Sequence, residues 1–283
     1  MSDSPALRPT PSNQFSFSRL KTFHQCAFRY RLRYLKGLKE AFRSIESFLG
    51  TTIHDVLEWM YSERGEGRSP SLPEVLGRFE EAWRQDWPED VAIIRNTDGP
   101  DTYYRRGREM LERFHGEAWA KDLSETLALE QRFSKRLSER IGFTGFADRV
   151  GRTTQGVLFI IDYKTSKNMG DPSDFSEGMQ APLYAACALE NHGDEVALAG
   201  YHYLRHGKSN WQEVNRDRGR QLLERFKNMA EEVLDQTEFP AKPGILCAWC
   251  GFNHICTFAE VPEAFSGGRR LTEENMGAFS NGD

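Results

Sequence analysis

No apolar run in the sequence approaches the ~18 residues that a membrane-spanning helix needs. Its apolar segments, such as Val157 to Ile161, have the length of strands, so a membrane span is excluded. An excess of positive charge is also missing: 37 Lys and Arg stand against 42 Asp and Glu, a formal net charge of −5. That excludes a uniformly basic nucleic-acid coat, and any nucleic-acid binding has to come from where the charges are placed. Met1 to Gln14 is Ser- and Pro-rich with no apolar segment, so no secretory leader is expected. Cysteine is scarce and odd in number, five in all, which does not suit a paired disulfide framework. A reducing cytoplasm is expected, where clustered thiols more often hold a metal. Gly207-Lys208-Ser209 resembles the end of a phosphate-binding loop, but His202 stands five residues before Gly207, where that loop requires glycine. No ATPase motor is expected from these 283 residues, and a helicase partner is expected to be a separate chain.

What is present is a chain of 283 residues, 39% hydrophobic and 28% charged, enough for a substantial core. Helical periodicity runs over Phe48–Arg64, with Ile53, Val56, Leu57 and Met60 on one face. Residues 16–34, 72–87 and 102–122 read as further helices. Then Ala128–Leu137, Phe143–Val150 and Val157–Tyr163 are β-rich, the last two joined by a Gly/Thr/Gln turn that signals a hairpin. Glu177–Leu189 reads as helix, Ala197–Leu204 as strand and Arg216–Gln236 as helix. This order predicts an α/β or α+β fold with a central mixed sheet flanked by helices. One domain is expected over 15–260, with a helical insertion at about 65–125, between disordered tails at 1–14 and 261–283.

The most informative stretch is Gly145-Phe-Ala-Asp148, followed by Asp162-Tyr-Lys164-Thr. Asp162 and Lys164 are two apart on a strand, so both leave the same face. In an antiparallel hairpin Asp148 can approach Asp162. Two acids converging beside a lysine make a site for a hard divalent cation and a water nucleophile. An Asp-x-Lys pair by itself is usually a solvated strand rim. Here it follows the apolar Val157–Ile161, so Asp162 emerges from a buried strand, and a buried carboxylate needs a partner or a metal. Gln180 and Tyr184 are four apart on the next helix and share a face. His54 and Glu58 share a face of the Phe48–Arg64 helix, and an imidazole ligand suits Mn²⁺ better than Mg²⁺.

This order of motifs resembles the PD-(D/E)XK nuclease superfamily, in its RecB-like branch, over roughly residues 15–258. The resemblance implies a restriction-endonuclease-like core and hydrolysis of DNA, with an exonuclease on single strands as the leading expectation. It implies that His54, Asp148 and Asp162 bind Mn²⁺ or Mg²⁺, that Lys164 assists catalysis, and that the Gln180-x-x-x-Tyr184 helix lines the substrate groove. Ala147 stands where the superfamily name places proline. The alternatives are a non-catalytic nucleic-acid-binding subunit on the same fold and a zinc-stapled interaction module. Two mutually repelling acids kept beside a lysine argue against both.

Cys247-x-x-Cys250-x₅-Cys256 brings three thiols together, and Cys26 is the natural fourth donor. Four thiolates suit zinc or an iron–sulfur cluster equally, with His24 and His254 as substitutes in a zinc site. One cysteine near the start and three near the end are similar to the staple of AddB-type and CRISPR-associated RecB-like exonucleases, which implies a [4Fe–4S] cluster. Ala27 and Thr257 stand where those relatives usually have proline. Such a staple closes a long loop and points to a structural role. Cys187, in Ala185-Ala-Cys-Ala-Leu, reads as a buried core thiol. Residues 19–43 hold eight basic side chains and one acid, Glu40, interleaved with aromatics. That pattern suits single-stranded DNA. Beyond DNA, the partner expected is a separate helicase or a recombination or CRISPR-adaptation protein.

Overall fold

The two consecutive β-rich segments between residues 142 and 164 form the centre of the sheet. In the computed structural model, residues 13–85, 90–95, 97–170, 178–265 and 269–270 are described. Of the tails expected at 1–14 and 261–283, residues 1–12, 266–268 and 271–283 lie outside them. The chain divides into two compact units: residues 1–24, 122–203 and 208–238 form one, and residues 25–121, 204–207 and 239–283 the other.

The first unit is a six-stranded mixed sheet with helices. Its strands are β1 (Gln14–Phe15), β4 (Glu125–Arg136), β5 (Gly142–Arg152), β6 (Leu158–Lys164), β7 (Val196–Tyr203) and β8 (Lys208–Asn215). β5 pairs antiparallel with both β4 and β6, while β6 runs parallel to β7. A parallel pair needs a crossover, and α6 (Gln180–His192) supplies it. Its Ala181–Leu189 run is buried throughout, against the sheet and α7 (Arg216–Leu234). Phe143 on β5 meets Phe226 on α7 edge to face, 5.0 Å between centroids. All of β6 from Leu158 to Tyr163 is buried, the continuous apolar signature of a central strand. The guanidinium of Arg149 is buried too, and that is tolerated because it is fully engaged. It donates to Asp122 Oδ2 at 2.7 Å, Thr126 Oγ1 at 2.8 Å and Ser124 Oγ at 2.8 Å.

In the second unit, α3 (Ile45–Gly65) buries Phe48, Leu49, Ile53, Val56, Leu57 and Met60 on one stripe. Ser44 caps it by accepting from the Ser47 N–H. The helices α4 (Leu72–Gln85) and α5 (Pro100–Glu117) pack on it around Phe48, Phe79, Trp83 and Tyr104. β2 (Arg43–Ser44), β3 (Val91–Ile93) and β9 (Arg269–Arg270) form a small separate sheet. β9 pairs antiparallel with β3. The expected helix at 16–34 is divided into α1 (Phe17–Gln25), α2 (Ala27–Tyr30) and a π-helical turn at Arg31–Leu35. β8 gave no strand signal because it is an edge strand, exposed at most positions, so little of it is selected for apolar alternation. No described helix is long and apolar enough to cross a membrane.

Candidate active site

Asp148, Asp162 and Lys164 lie at and just beyond the point where β5 and β6 end their pairing. The ladder runs from Arg152↔Leu158 to Arg149↔Ile161, so Asp148 and Asp162 are the next residues on either strand. The Asp148 carboxylate reaches over β6 and accepts the Tyr163 N–H at 2.7 Å. Asp162 is only 3% exposed, at the end of that buried strand. The Lys164 ammonium stands 2.7 Å from Asp162 Oδ2 and donates to Gln180 Oε1 at 3.0 Å. A chain of contacts thus runs from acid to lysine to amide, linking β6 to the first turn of α6. Tyr184, one turn further on, is buried. Its ring packs with Phe133 and Phe143, and its hydroxyl is pushed above the ordinary tyrosine range by burial first and then by the Asp162 and Asp148 charges. The phenol therefore stays neutral beside the two acids.

Sequence reasoning placed Glu130 on a strand and gave it no role. It lies between the pairs Leu129↔Arg149 and Gln131↔Ala147, across the ladder from Asp148. Its φ is +44°, the one positive value at a non-glycine position among the described residues. This conformation costs about 1–2 kcal/mol, and a carboxylate oxygen of Glu130 lies within 4.8 Å of one of Asp148. Like charges so placed destabilise a sheet unless a cation offsets them. The local sequence carries no sign of this, because alternation assigns the residue a face and cannot register a left-handed break.

His54 is half-buried on α3 in the other unit, with Glu58 exposed one turn on. That unit also holds all four expected cysteine donors. Cys26 caps α2, its sulfur accepting the Arg29 N–H at 3.5 Å. Cys247 and Cys250 begin and end a turn in which the Cys250 N–H donates to the Cys247 carbonyl at 3.2 Å, and the Cys256 N–H donates to the Phe252 carbonyl at 3.0 Å. The two segments are tied together around them. The Phe28 N–H donates to the Pro240 carbonyl at 3.1 Å and the Ala41 N–H to that of Gly251 at 2.9 Å, while Phe28 meets Phe258 edge to face. The Cys250 thiol is raised mainly by burial, with Cys26 close enough to add to the shift. All five cysteines are free thiols.

A model of the PD-(D/E)XK nuclease superfamily matches residues 14–257. The chain belongs to this superfamily. Among relatives, an ATP-dependent helicase/deoxyribonuclease subunit of Streptococcus agalactiae serotype Ia is 28% identical over 176 residues, 60% of this chain and 16% of that protein. A protein of the same name from Streptococcus mutans serotype c is 25% identical over 203 residues, 69% of this chain and 18% of that one. The chain therefore spans less than a fifth of these relatives' length. A crystal structure of SSO0001 superposes with a TM-score of 0.39 at 14% identity, over 90% of this chain and 91% of that one.

PD-(D/E)XK nucleases use divalent metals, and the donors here fit one: hard carboxylate oxygens in close approach, with a lysine beside them. The structure also sorts the basic segment of this family member. Arg29 is committed to Glu40, donating to both carboxylate oxygens at 2.8 and 3.0 Å. Arg33 lies 3.6 Å from the same acid and over the Tyr34 ring. Arg19 is buried against Phe15. Arg31, Lys36 and Lys39 are exposed and have no ion-pair partner among the described residues.

Proposed function

We propose that this chain is a metal-dependent DNA nuclease, acting as an exonuclease on single-stranded ends. The observation that carries the reading is the chain Asp162–Lys164–Gln180, with Asp148 turned across the strand to join it. Asp148 and Asp162 would hold Mn²⁺ or Mg²⁺, and Glu130 adds a further carboxylate beside Asp148. His54 enters this proposal as an imidazole ligand on the family resemblance. A bound divalent ion would stabilise charge on the phosphate oxygens. Lys164, held between Asp162 and Gln180, orients a water for in-line attack on phosphorus, and the bond to the leaving oxygen breaks. Gln180 fixes the lysine, and the Gln180-x-x-x-Tyr184 helix lines the groove for the substrate strand, with Tyr184 neutral.

Cys26, Cys247, Cys250 and Cys256 would hold a [4Fe–4S] cluster as a structural staple. The names of the relatives, helicase/deoxyribonuclease subunits, support DNA as substrate and work alongside a helicase. Within the basic segment, the exposed Arg31, Lys36 and Lys39 are offered to a single strand.

The decisive experiment measures hydrolysis of labelled single-stranded DNA with Mn²⁺, Mg²⁺ or chelator, each end blocked in turn. Cleavage that needs metal and stops when one end is blocked is expected. Metal-independent binding with no cleavage would favour a non-catalytic subunit.

A further inference from the structure

Tyr201 lies on β7 directly beside Asp162 in the parallel ladder, and it is 1% exposed. Its ring lies under the Lys164 ammonium, 5.3 Å from Nζ to centroid. Its hydroxyl accepts the Ala181 N–H at 2.8 Å. Ala181 is the second residue of α6, where backbone N–H groups have no acceptor inside the helix. Met179 caps that helix without a side-chain hydrogen bond. The phenol is thus the side chain seen to satisfy this N–H, and it fixes the point from which Gln180 reaches Lys164. One residue supports the lysine twice: the ring face attracts the ammonium, and the hydroxyl holds the helix end that carries its amide partner.

We infer that Tyr201 is a positioning residue for Lys164 and Gln180, setting the orientation of the lysine without touching substrate. This rests on the proposed nuclease reading of the site. Groups that orient ligands from behind are worth about 10–100-fold in activity, so the hydroxyl belongs at the lower end of that range, since the ring remains in Tyr201→Phe.

The test compares Tyr201→Phe, Gln180→Ala, their double variant, Tyr203→Phe and Lys164→Ala on single-stranded DNA. Tyr203 is the matched control. It is a buried tyrosine on the same strand, and its hydroxyl accepts the Gly170 N–H at 3.2 Å, away from α6. Tyr201→Phe should lower kcat about tenfold with KM and Mn²⁺ affinity unchanged. Hydrogen exchange should speed up in a peptide covering residues 180–183. The double variant should be no slower than Gln180→Ala alone, because both act through one contact. Wild-type kcat in Tyr201→Phe, multiplicative loss in the double variant, or an equal loss in Tyr203→Phe would each overturn the positioning role. Wild-type cleavage by Lys164→Ala would instead remove the site reading itself, and this inference with it.

Discussion

Gly145 lies flush against the ring of Tyr184. A Cβ at Gly145 would overlap Cε1 and come within 3.0 Å of Cζ and the hydroxyl oxygen. Glycine opens the Gly-x-x-Asp motif for this reason: the strand bearing Asp148 passes directly over a buried ring on α6. Gly145→Ala should lower stability by about 1–3 kcal/mol, the usual cost of overpacking, and reduce cleavage by displacing Asp148. Pairing it with Tyr184→Leu should recover part of the melting temperature. Full stability in the single variant would show that the strand and helix are not in fixed contact.

Asp162→Ala and Lys164→Ala should each reduce hydrolysis by at least about 10²-fold, the scale of losing one preorganised electrostatic group. Single-stranded DNA affinity, measured by fluorescence anisotropy, should change little. Near wild-type cleavage by either variant would remove the proposed site.

The metal profile tests His54. Mn²⁺ should support more activity than Mg²⁺, Ca²⁺ should inhibit, and His54→Ala should lose the Mn²⁺ advantage, since the imidazole is the softer ligand. An unchanged profile in the variant would return His54 to an ordinary helix position.

Anaerobically purified protein should be brown, with broad visible absorbance. Serine at Cys26, Cys247, Cys250 or Cys256 should bleach it and lower its melting temperature, because cluster binding contributes to folding. Colourless protein with stoichiometric zinc would replace the cluster and keep the staple. Cys187→Ser should leave the colour unchanged. Its thiol is pushed up to about 12, chiefly by burial, so alkylation at pH 8 should be negligible. The raised value favours the folded state below the ordinary thiol range. That contribution should fade as pH rises from about 8.5 towards 12, which titration of stability with pH would detect.

The basic segment gives a salt-dependence test. Arg31→Ala, Lys36→Ala and Lys39→Ala together should weaken single-stranded DNA binding and reduce the log–log salt slope by about 2, from roughly 0.7 per phosphate contact. Arg29→Ala should instead lower stability by leaving the half-buried Glu40 with less of its charge compensated. An unchanged slope in the triple variant would place the DNA elsewhere.

Spacing in the sequence was enough to determine the mixed sheet, the shared face of Asp162 and Lys164, the buried strand before them and the shared face of Gln180 and Tyr184. These depend on periods of 2.0 and 3.6, which are local properties of the backbone. The core status of Cys187 was legible for the same reason, in a run of small apolar residues on one helix. Tertiary structure alone decided what no local period encodes. It turned Asp148 onto the Tyr163 N–H, set Glu130 in a left-handed conformation across from it, and brought Tyr201 beneath Lys164 across a parallel ladder. It also divided the basic segment, committing Arg29 to Glu40 while Arg31, Lys36 and Lys39 stay exposed. The physical reason is common to the first three cases. Each depends on which residues of neighbouring strands face one another, and that register is fixed by burial of the whole face.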